Sequence, residues 1–405
     1  MQIRRATSVQ NQLLQATSAM SEDKQLKIHL IAAARPNFMK VAPLWRVLSV
    51  ASWCEPHIVH TGQHYDANMS EAFFRDLRLP EPHFHLEVGS GSHAEQTGNV
   101  MIAYERVVQI HRPDVIIVVG DVNPTVACAL VGAKMWIPVI HLEAGLRSRD
   151  RRMPEEINRL MTDAIADVLW TPSLDANENL RSEGIPEERI EFVGNIMIDS
   201  FMMMRDAIEA DDTRTVMGLV AGRYGIVTLH RPANVDSRET LGHLVAELVA
   251  VGRELPLVFA IHPRTLKRLV EFDLLSQLER AAGLRLTEPL GYVQFMNLVC
   301  GAAAVITDSG GVQEETTFLG IPCLTLRENT ERPITITEGS NRLVTAAKLA
   351  AAVGEALLLR RGSGKAPARW DGATAERCAA DLRRRFLTTR RCNAASAGRA
   401  GQKEL

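Results

Sequence analysis

Several whole classes of protein are set aside by what this 405-residue sequence lacks. It has no apolar run near the ~18 residues that cross a bilayer, so no membrane-spanning helix and no membrane partner are expected. Its opening stretch, 1–24, carries Arg4 and Arg5 but no uninterrupted apolar segment behind them. That is unlike a secretory leader and reads as a poorly ordered extension. The six cysteines, Cys54, Cys128, Cys300, Cys323, Cys378 and Cys392, include no close pair. This argues against a zinc site or a disulfide framework and fits a reducing cytoplasm. Nor is charge of one sign in excess: a formal net charge of −2 gives no reason to expect nucleic acid as a partner. No internal repeat of solenoid length is found.

What remains is an ordinary globular balance, 46% apolar and 23% charged, in a chain too long for one core and suited to two α/β domains. Short β-branched runs alternate with helical patterns. The runs 27–33, 57–61, 115–121, 139–145, 168–173 and 190–195 are near-continuously apolar, as strands covered on both faces of a parallel sheet must be. Helical patterns between them are clearest at 38–50, 94–111 and 155–166. After a polar stretch near 209–215, a second series of strands is expected at 226–230, 257–262, 284–287, 304–308 and 323–326. The alternation in each half predicts an α/β fold of two doubly wound, Rossmann-like domains. Ligands bind beyond the carboxyl ends of such strands, and here those ends can face one another across a cleft. The expected boundaries are 25–200 and 201–372, with a helix over 373–392 packing back on the first domain and a disordered tail over 393–405. Arg383, Arg384 and Arg385 read as a solvated helix end.

The informative residues sit where strands stop. Ala33-Ala34-Arg35-Pro36-Asn37-Phe38-Met39-Lys40 leaves the first strand and enters a helix, placing Arg35 where a guanidinium can meet phosphate oxygens. Gly120-Asp121 and His141-Leu142-Glu143-Ala144-Gly145-Leu146-Arg147 end two further strands with carboxylates. Met153-Pro154-Glu155-Glu156-Ile157-Asn158-Arg159 opens a helix with acids in its first turn. Each acid alone could be a cap or a loop ion pair; three together point to acid–base chemistry. The second half supplies His230-Arg231-Pro232 just past a strand, and Thr307-Asp308-Ser309-Gly310-Gly311-Val312-Gln313-Glu314-Glu315 across a strand, a small-residue turn and a helix start. Amides at Ser309, Gly310 and Gly311 can approach phosphate closely, with Glu315 in reach of a ribose diol. This turn is neither a dinucleotide G-x-G-x-x-G nor a Walker loop, and it suggests a nucleoside diphosphate.

Taken together, in this order and spacing over about 27–344, these segments resemble the non-hydrolysing UDP-N-acetylglucosamine 2-epimerase family. Gly120-Asp121, Glu143-Ala144-Gly145-Leu146-Arg147, Pro154-Glu155-Glu156 with Asn158-Arg159, Thr307-Asp308-Ser309-Gly310-Gly311 with Gln313-Glu314-Glu315, and Thr330-Glu331-Arg332-Pro333 carry the resemblance. It implies a glycosyltransferase-B-like fold closing over UDP, usually a homodimer, with no redox cofactor and no metal. It further implies that Arg35, Arg159, Ser309, Gly310, Gly311, Glu315 and Arg332 hold the nucleotide, with Phe295 and Leu290 beside the uracil. Lys40, Asp121, Glu143, Glu155 and His230 then surround the sugar as candidate catalytic groups. The implied reaction is inversion at C2 of UDP-N-acetylglucosamine by elimination of UDP to a 2-acetamidoglucal and re-addition. Which acid serves which face of C2 stays open. So do a related UDP-sugar substrate, a hydrolysing outcome and a glycosyltransferase of the same fold. Two departures stand out: Ala33-Ala34-Arg35-Pro36-Asn37 replaces the family's Gly-Thr-Arg-Pro-Glu, and Thr61-Gly62-Gln63-His64-Tyr65-Asp66 replaces the stretch linked to activation by a second UDP-sugar.

Overall fold

The computed structural model describes residues 25–62, 77–358 and 366–387. The expected extension over 1–24, the stretch Gln63-His64-Tyr65-Asp66, Cys392 and the tail over 393–405 lie outside the described residues.

Thirteen strands form among the described residues: β1 (Leu26–Ala32), β2 (Cys54–His60), β3 (Phe84–His85), β4 (Val115–Val119), β5 (Val139–Leu142), β6 (Val168–Thr171), β7 (Ile190–Phe192), β8 (Gly225–Thr228), β9 (Leu257–Ala260), β10 (Leu284–Thr287), β11 (Ala304–Thr307), β12 (Cys323–Thr325) and β13 (Asn341–Leu343). One sheet runs β3-β2-β1-β4-β5-β6-β7 and the other β10-β9-β8-β11-β12-β13. The residue pairings of β1 with β2 and β4, and those along the second sheet, are parallel. This is the predicted pair of Rossmann-like sheets with helices.

Strand positions follow the apolar runs, but several strands stop sooner than the composition suggests. β4 ends at Val119 because Gly120 turns to φ +69°, and β5 ends at Leu142 because Glu143 turns to φ +71°. The helix expected from Phe38 begins at Arg35, since Pro36 fits a first helical turn and the Asn37 side chain accepts from the Ala34 N–H at 3.0 Å. β3 and β13, two and three residues long, are too short to show a period and were not expected.

The described chain divides into two compact units. One comprises residues up to Ile140, Ile165–Asp167 and the segment from Glu376; the other comprises His141–Ala164 and Val168–Ala375. In the first, β1 is buried along almost its whole length. His29 has 2% of its surface exposed, and its Nδ1 lies 3.1 Å from the Tyr104 hydroxyl. The rings of Phe84 and His57 stand 5.3 and 6.1 Å from it, and His83 stands 4.9 Å from His57. In the second unit the helices Arg238–Gly252 and Leu349–Leu358 pack on one another over the sheet. Leu241, Leu244, Val245 and Leu248 join Val227, Phe259, Ile306 and Leu324 there in a continuous apolar core. That burial, worth about 1.5–3 kcal/mol per large side chain, holds the strand ends that carry the polar residues.

Candidate active site

Each sheet has one place where neighbouring strands are followed by connections running opposite ways: β1 beside β4, and β8 beside β11. A crevice opens beyond the carboxyl ends of such strands.

In the first unit the β1 end passes into the helix Arg35–Leu48. Arg35 is its first residue; its side chain lies outside the described part. Asn37 is buried and donates its amide to the Val119 carbonyl of β4 at 3.0 Å. A glutamate, the family's residue at this position, has no proton to give that carbonyl when ionised, so the departure seen in the sequence makes a tie between the two strand ends. Lys40 follows one turn later and is buried, while Asp121 stands half-buried after the Gly120 turn.

In the second unit the chain leaves β5 through two left-handed residues. Glu143 at φ +71° adopts a conformation costing a non-glycine residue about 1–2 kcal/mol, and Gly145 follows at φ +81°. A Cβ on Gly145 would lie 2.5 Å from the Ala176 carbonyl oxygen, so only glycine fits. Two buried carboxylates clamp the loop after Glu143. Asp163 accepts from the Gly145 N–H at 3.0 Å and meets His141 Nδ1 at 2.6 Å and Arg147 Nη1 at 2.7 Å. Glu156 accepts from the Ser148 and Arg149 N–H groups at 2.9 and 2.8 Å, and from Arg159 at 2.7 Å. Burial alone would push both carboxyls up, but these partners hold both below the usual range. Arg159, expected to bind substrate, is thus placed in the support of the loop. Glu155, its helix neighbour, is exposed, and its charge acts on Arg231.

The β8 and β11 ends meet at Asp308, which has no solvent exposure. Its carboxylate accepts from the His230 N–H at 3.1 Å, the Arg231 N–H at 2.9 Å and the Asn234 amide at 3.0 Å, and Oδ1 lies 2.9 Å from His230 Nδ1. Burial would raise the Asp308 carboxyl; the His230 hydrogen bond and charge, with Asn234 and the Arg231 N–H, hold it below the ordinary carboxylate range. With Nδ1 committed to Asp308, the imidazole's Nε2 is the nitrogen left for a substrate. Half-buried His230 also faces His262, with ring centroids 5.5 Å apart.

After β11, Ser309 caps the helix Gly310–Leu319 without a side-chain cap bond. That leaves the first amides of a ten-residue helix to an anion. Gly310 has a second reason to lack a side chain: its Cβ would lie 2.8 Å from both Arg332 Nη1 and Glu331 Oε1. A Cβ on Gly311 would meet only Met197 Cε, at an ordinary 3.9 Å. Arg332 is enclosed by Glu331 at 2.5 Å, Glu314 at 2.8 Å and Glu143 at 4.0 Å, and Glu314 also accepts from Asn195 at 3.0 Å. Burial works against the guanidinium's charge, yet Glu314, Glu331 and Glu143 secure it. Glu315 is buried, and its Oε1 accepts from the Tyr292 hydroxyl at 2.7 Å. Tyr292 opens the helix Tyr292–Gly301, which carries half-buried Phe295 on its next turn; Leu290 precedes it, also half-buried.

Within the second unit the structure therefore gathers His230, Glu143, Ser309, Gly310, Glu315 and Arg332 around three strand ends and one helix start. Asp308, Tyr292, Glu314 and Glu331 were not singled out by residue type, though all but Tyr292 stand inside the quoted motifs. A carboxylate directly ahead of Ser-Gly-Gly was the available signal for Asp308. Among the described residues no group of three or more His, Cys, Asp or Glu side chains is arranged to hold a metal. No described helix is long and apolar enough to cross a membrane.

Comparison with known proteins agrees with this geometry. A family model described as UDP-N-acetylglucosamine 2-epimerase matches residues 46–383. The chain is 44% identical over 324 residues to the UDP-N-acetylglucosamine 2-epimerase of Methanocaldococcus jannaschii, covering 79% of this chain and 88% of that protein. It is 37% identical over 327 residues to a UDP-2,3-diacetamido-2,3-dideoxy-D-glucuronate 2-epimerase of Pseudomonas aeruginosa, covering 80% and 89%. The crystal structure of the M. jannaschii enzyme in complex with UDP-GlcNAc and UDP superposes with a TM-score of 0.81 at 42% identity, over 88% of this chain and 99% of that one. The chain belongs to the UDP-N-acetylglucosamine 2-epimerase family.

Proposed function

We infer that this chain is an isomerase of the non-hydrolysing type that interconverts UDP-N-acetylglucosamine and UDP-N-acetylmannosamine by inverting C2. The observation that carries this reading is the Asp308–His230 pair beside the uncapped Ser309-Gly310-Gly311 helix start, in a chain 44% identical to an enzyme of that name.

The C2 hydrogen is barely acidic, and a carboxylate cannot remove it outright. Departure of UDP from C1 changes that, because the anomeric carbon gains positive character as the C1–O bond breaks. In this reading the helix amides after Ser309 and the His230 Nε2 meet charge growing on the departing diphosphate. Asp308 keeps His230 in one tautomer and orientation. Glu143, Glu155 and Asp121 are the carboxylates proposed to take the C2 proton and return one to the opposite face. Lys40 and Arg35 are proposed to face the sugar and the phosphates. UDP stays bound and adds back to C1 of the glucal. The enclosure of Arg332 by three carboxylates supports a role in holding Glu143 and the 331–332 segment as much as in gripping phosphate. The reading also takes the enzyme to be a cytoplasmic homodimer, which sedimentation tests.

Incubation with UDP-N-acetylglucosamine in heavy water, followed by NMR at C2, tests the function. Deuterium at C2 together with a second UDP-linked epimer is the expected result. Free sugar would replace the reversible reaction by a hydrolytic one, and an unlabelled C2 would remove epimerisation. The P. aeruginosa relative makes the UDP-diacetamido-uronate the comparison substrate; faster exchange on it would reassign the sugar.

A further inference from the structure

Glu315 is an unusual group to bury. The residue has 4% of its surface exposed, on the second turn of its helix, and its chain neighbour Glu314 is also buried. Glu314 has Arg332 at 2.8 Å, whereas no cation pairs with Glu315 among the described residues. Its Oε1 accepts the Tyr292 hydroxyl proton at 2.7 Å. An acid held this way, next to a nucleotide-binding helix start, has one oxygen committed and one oxygen left to accept.

We propose that Tyr292 is a positioning residue, fixing the Glu315 carboxylate so that it accepts hydrogen bonds from the ribose 2′- and 3′-hydroxyls of the bound UDP-sugar. The proposal rests on the nucleotide-binding reading above and deepens it. A carboxylate free to rotate about its last bond would present its lone pairs to a diol only part of the time. The tyrosine, with two side-chain torsions, freezes that rotation at low entropic cost. Burial pushes the Glu315 carboxyl up to about 7; the Tyr292 hydrogen bond opposes this and the charge of Glu314 adds to it. Those two are the titratable groups acting on Glu315. The helix Ile196–Ala210 and strands β11 to β13, also disposed around its helix, bring no charge to it. Burial raises the Tyr292 phenol in turn, with Glu315 and Cys300 adding, so it remains a donor at neutral pH. Since Tyr292 favours the charged carboxylate, its removal drives Glu315 toward the neutral acid, a weaker acceptor for a diol.

The experiment is the affinity of the full-length protein for UDP and for 2′-deoxy-UDP, by calorimetry, across a pH series through neutrality. Both ligands carry the same diphosphate, so phosphate ionisation cancels in the ratio of their dissociation constants. In the wild type that ratio should favour UDP increasingly as pH rises through about 7. Y292F should move the midpoint to higher pH and weaken UDP about tenfold at neutrality, with a smaller loss for 2′-deoxy-UDP, which keeps only the 3′-hydroxyl. E315Q should flatten the ratio at every pH. A wild-type ratio independent of pH would overturn the proposal without any variant having to fold. So would a Y292F protein that loses both ligands equally while keeping the wild-type midpoint, which marks Tyr292 as packing. Wild-type protein that binds neither ligand would overturn the nucleotide reading itself and this inference with it.

Discussion

His230 Nδ1 lies 2.9 Å from Oδ1 of Asp308, a carboxylate sealed from solvent, and the same carboxylate accepts the backbone N–H groups of His230 and Arg231. One side chain therefore orders both the ring and the chain that carries it. D308N keeps the shape but places an amide where an acceptor is needed. Turnover should fall by about 10²-fold or more, the order of a lost general acid or base. Steady-state rates on the UDP-sugar beside UDP calorimetry check this; an unchanged rate would detach His230 from the reaction.

Glu143 sits at the left-handed turn out of β5, 4.0 Å from Arg332. E143Q should cut deuterium incorporation at C2 by at least about 10²-fold and leave UDP affinity within about threefold. Equal losses in both would make Glu143 a binding group.

Stability should fall with acid in a way that traces to His29. Burial holds this ring neutral, lowering it to about 3, with His57, His111, His83 and Lys27 adding repulsion. Burial also lowers His57 and His83. The unfolded ring titrates near 6.5, so between about 6.5 and about 3 the unfolded chain binds more protons than the folded one. Folding is therefore weakened as pH drops through that window, by up to about 5 kcal/mol for His29. Glutamine at this position keeps an acceptor for Tyr104 and cannot titrate. Urea midpoints of H29Q and wild type should converge as pH falls from about 7 to about 5; parallel declines would place the sensitivity elsewhere.

Gly145 leaves no room for a side chain. Alanine there meets both a positive φ and the Ala176 carbonyl at 2.5 Å, and the loop after Glu143 must shift. G145A should cost about 2–4 kcal/mol in chemical denaturation and reduce C2 exchange as well. A stable G145A protein with normal exchange would mean that the Glu143 turn tolerates displacement.

Much of this was legible beforehand because parallel strands buried on both faces leave long β-branched runs, as at Val115–Val119 and Ala304–Thr307. The strand ends were less so. A left-handed Glu143 carries no compositional signal, since the turn is imposed by Asp163 and Glu156 from outside the strand. The ordered motifs led to His230, Ser309 and Glu315, but not to their partners. Tyr292 lies 23 residues before Glu315 and reaches it across two helices that each pack on the helix Ile196–Ala210. Asn37, a departure visible in the sequence, takes its meaning only from the bond its amide donates to the Val119 carbonyl, which ties two strand ends together.

Glu155 and Glu156 are consecutive letters with opposite surroundings, one open to water and one walled in by Ser148, Arg149 and Arg159. A helix turns about 100° per residue, so deleting a single residue at its start would swing the walled-in acid outward and leave the pocket around Arg159 facing the wrong side chain. The pair thus sets the rotational phase of the whole element. Damage to Glu156 would be read in a calorimeter's melting curve, and damage to Glu155, in the role proposed for it, in the pace at which a sugar turns over.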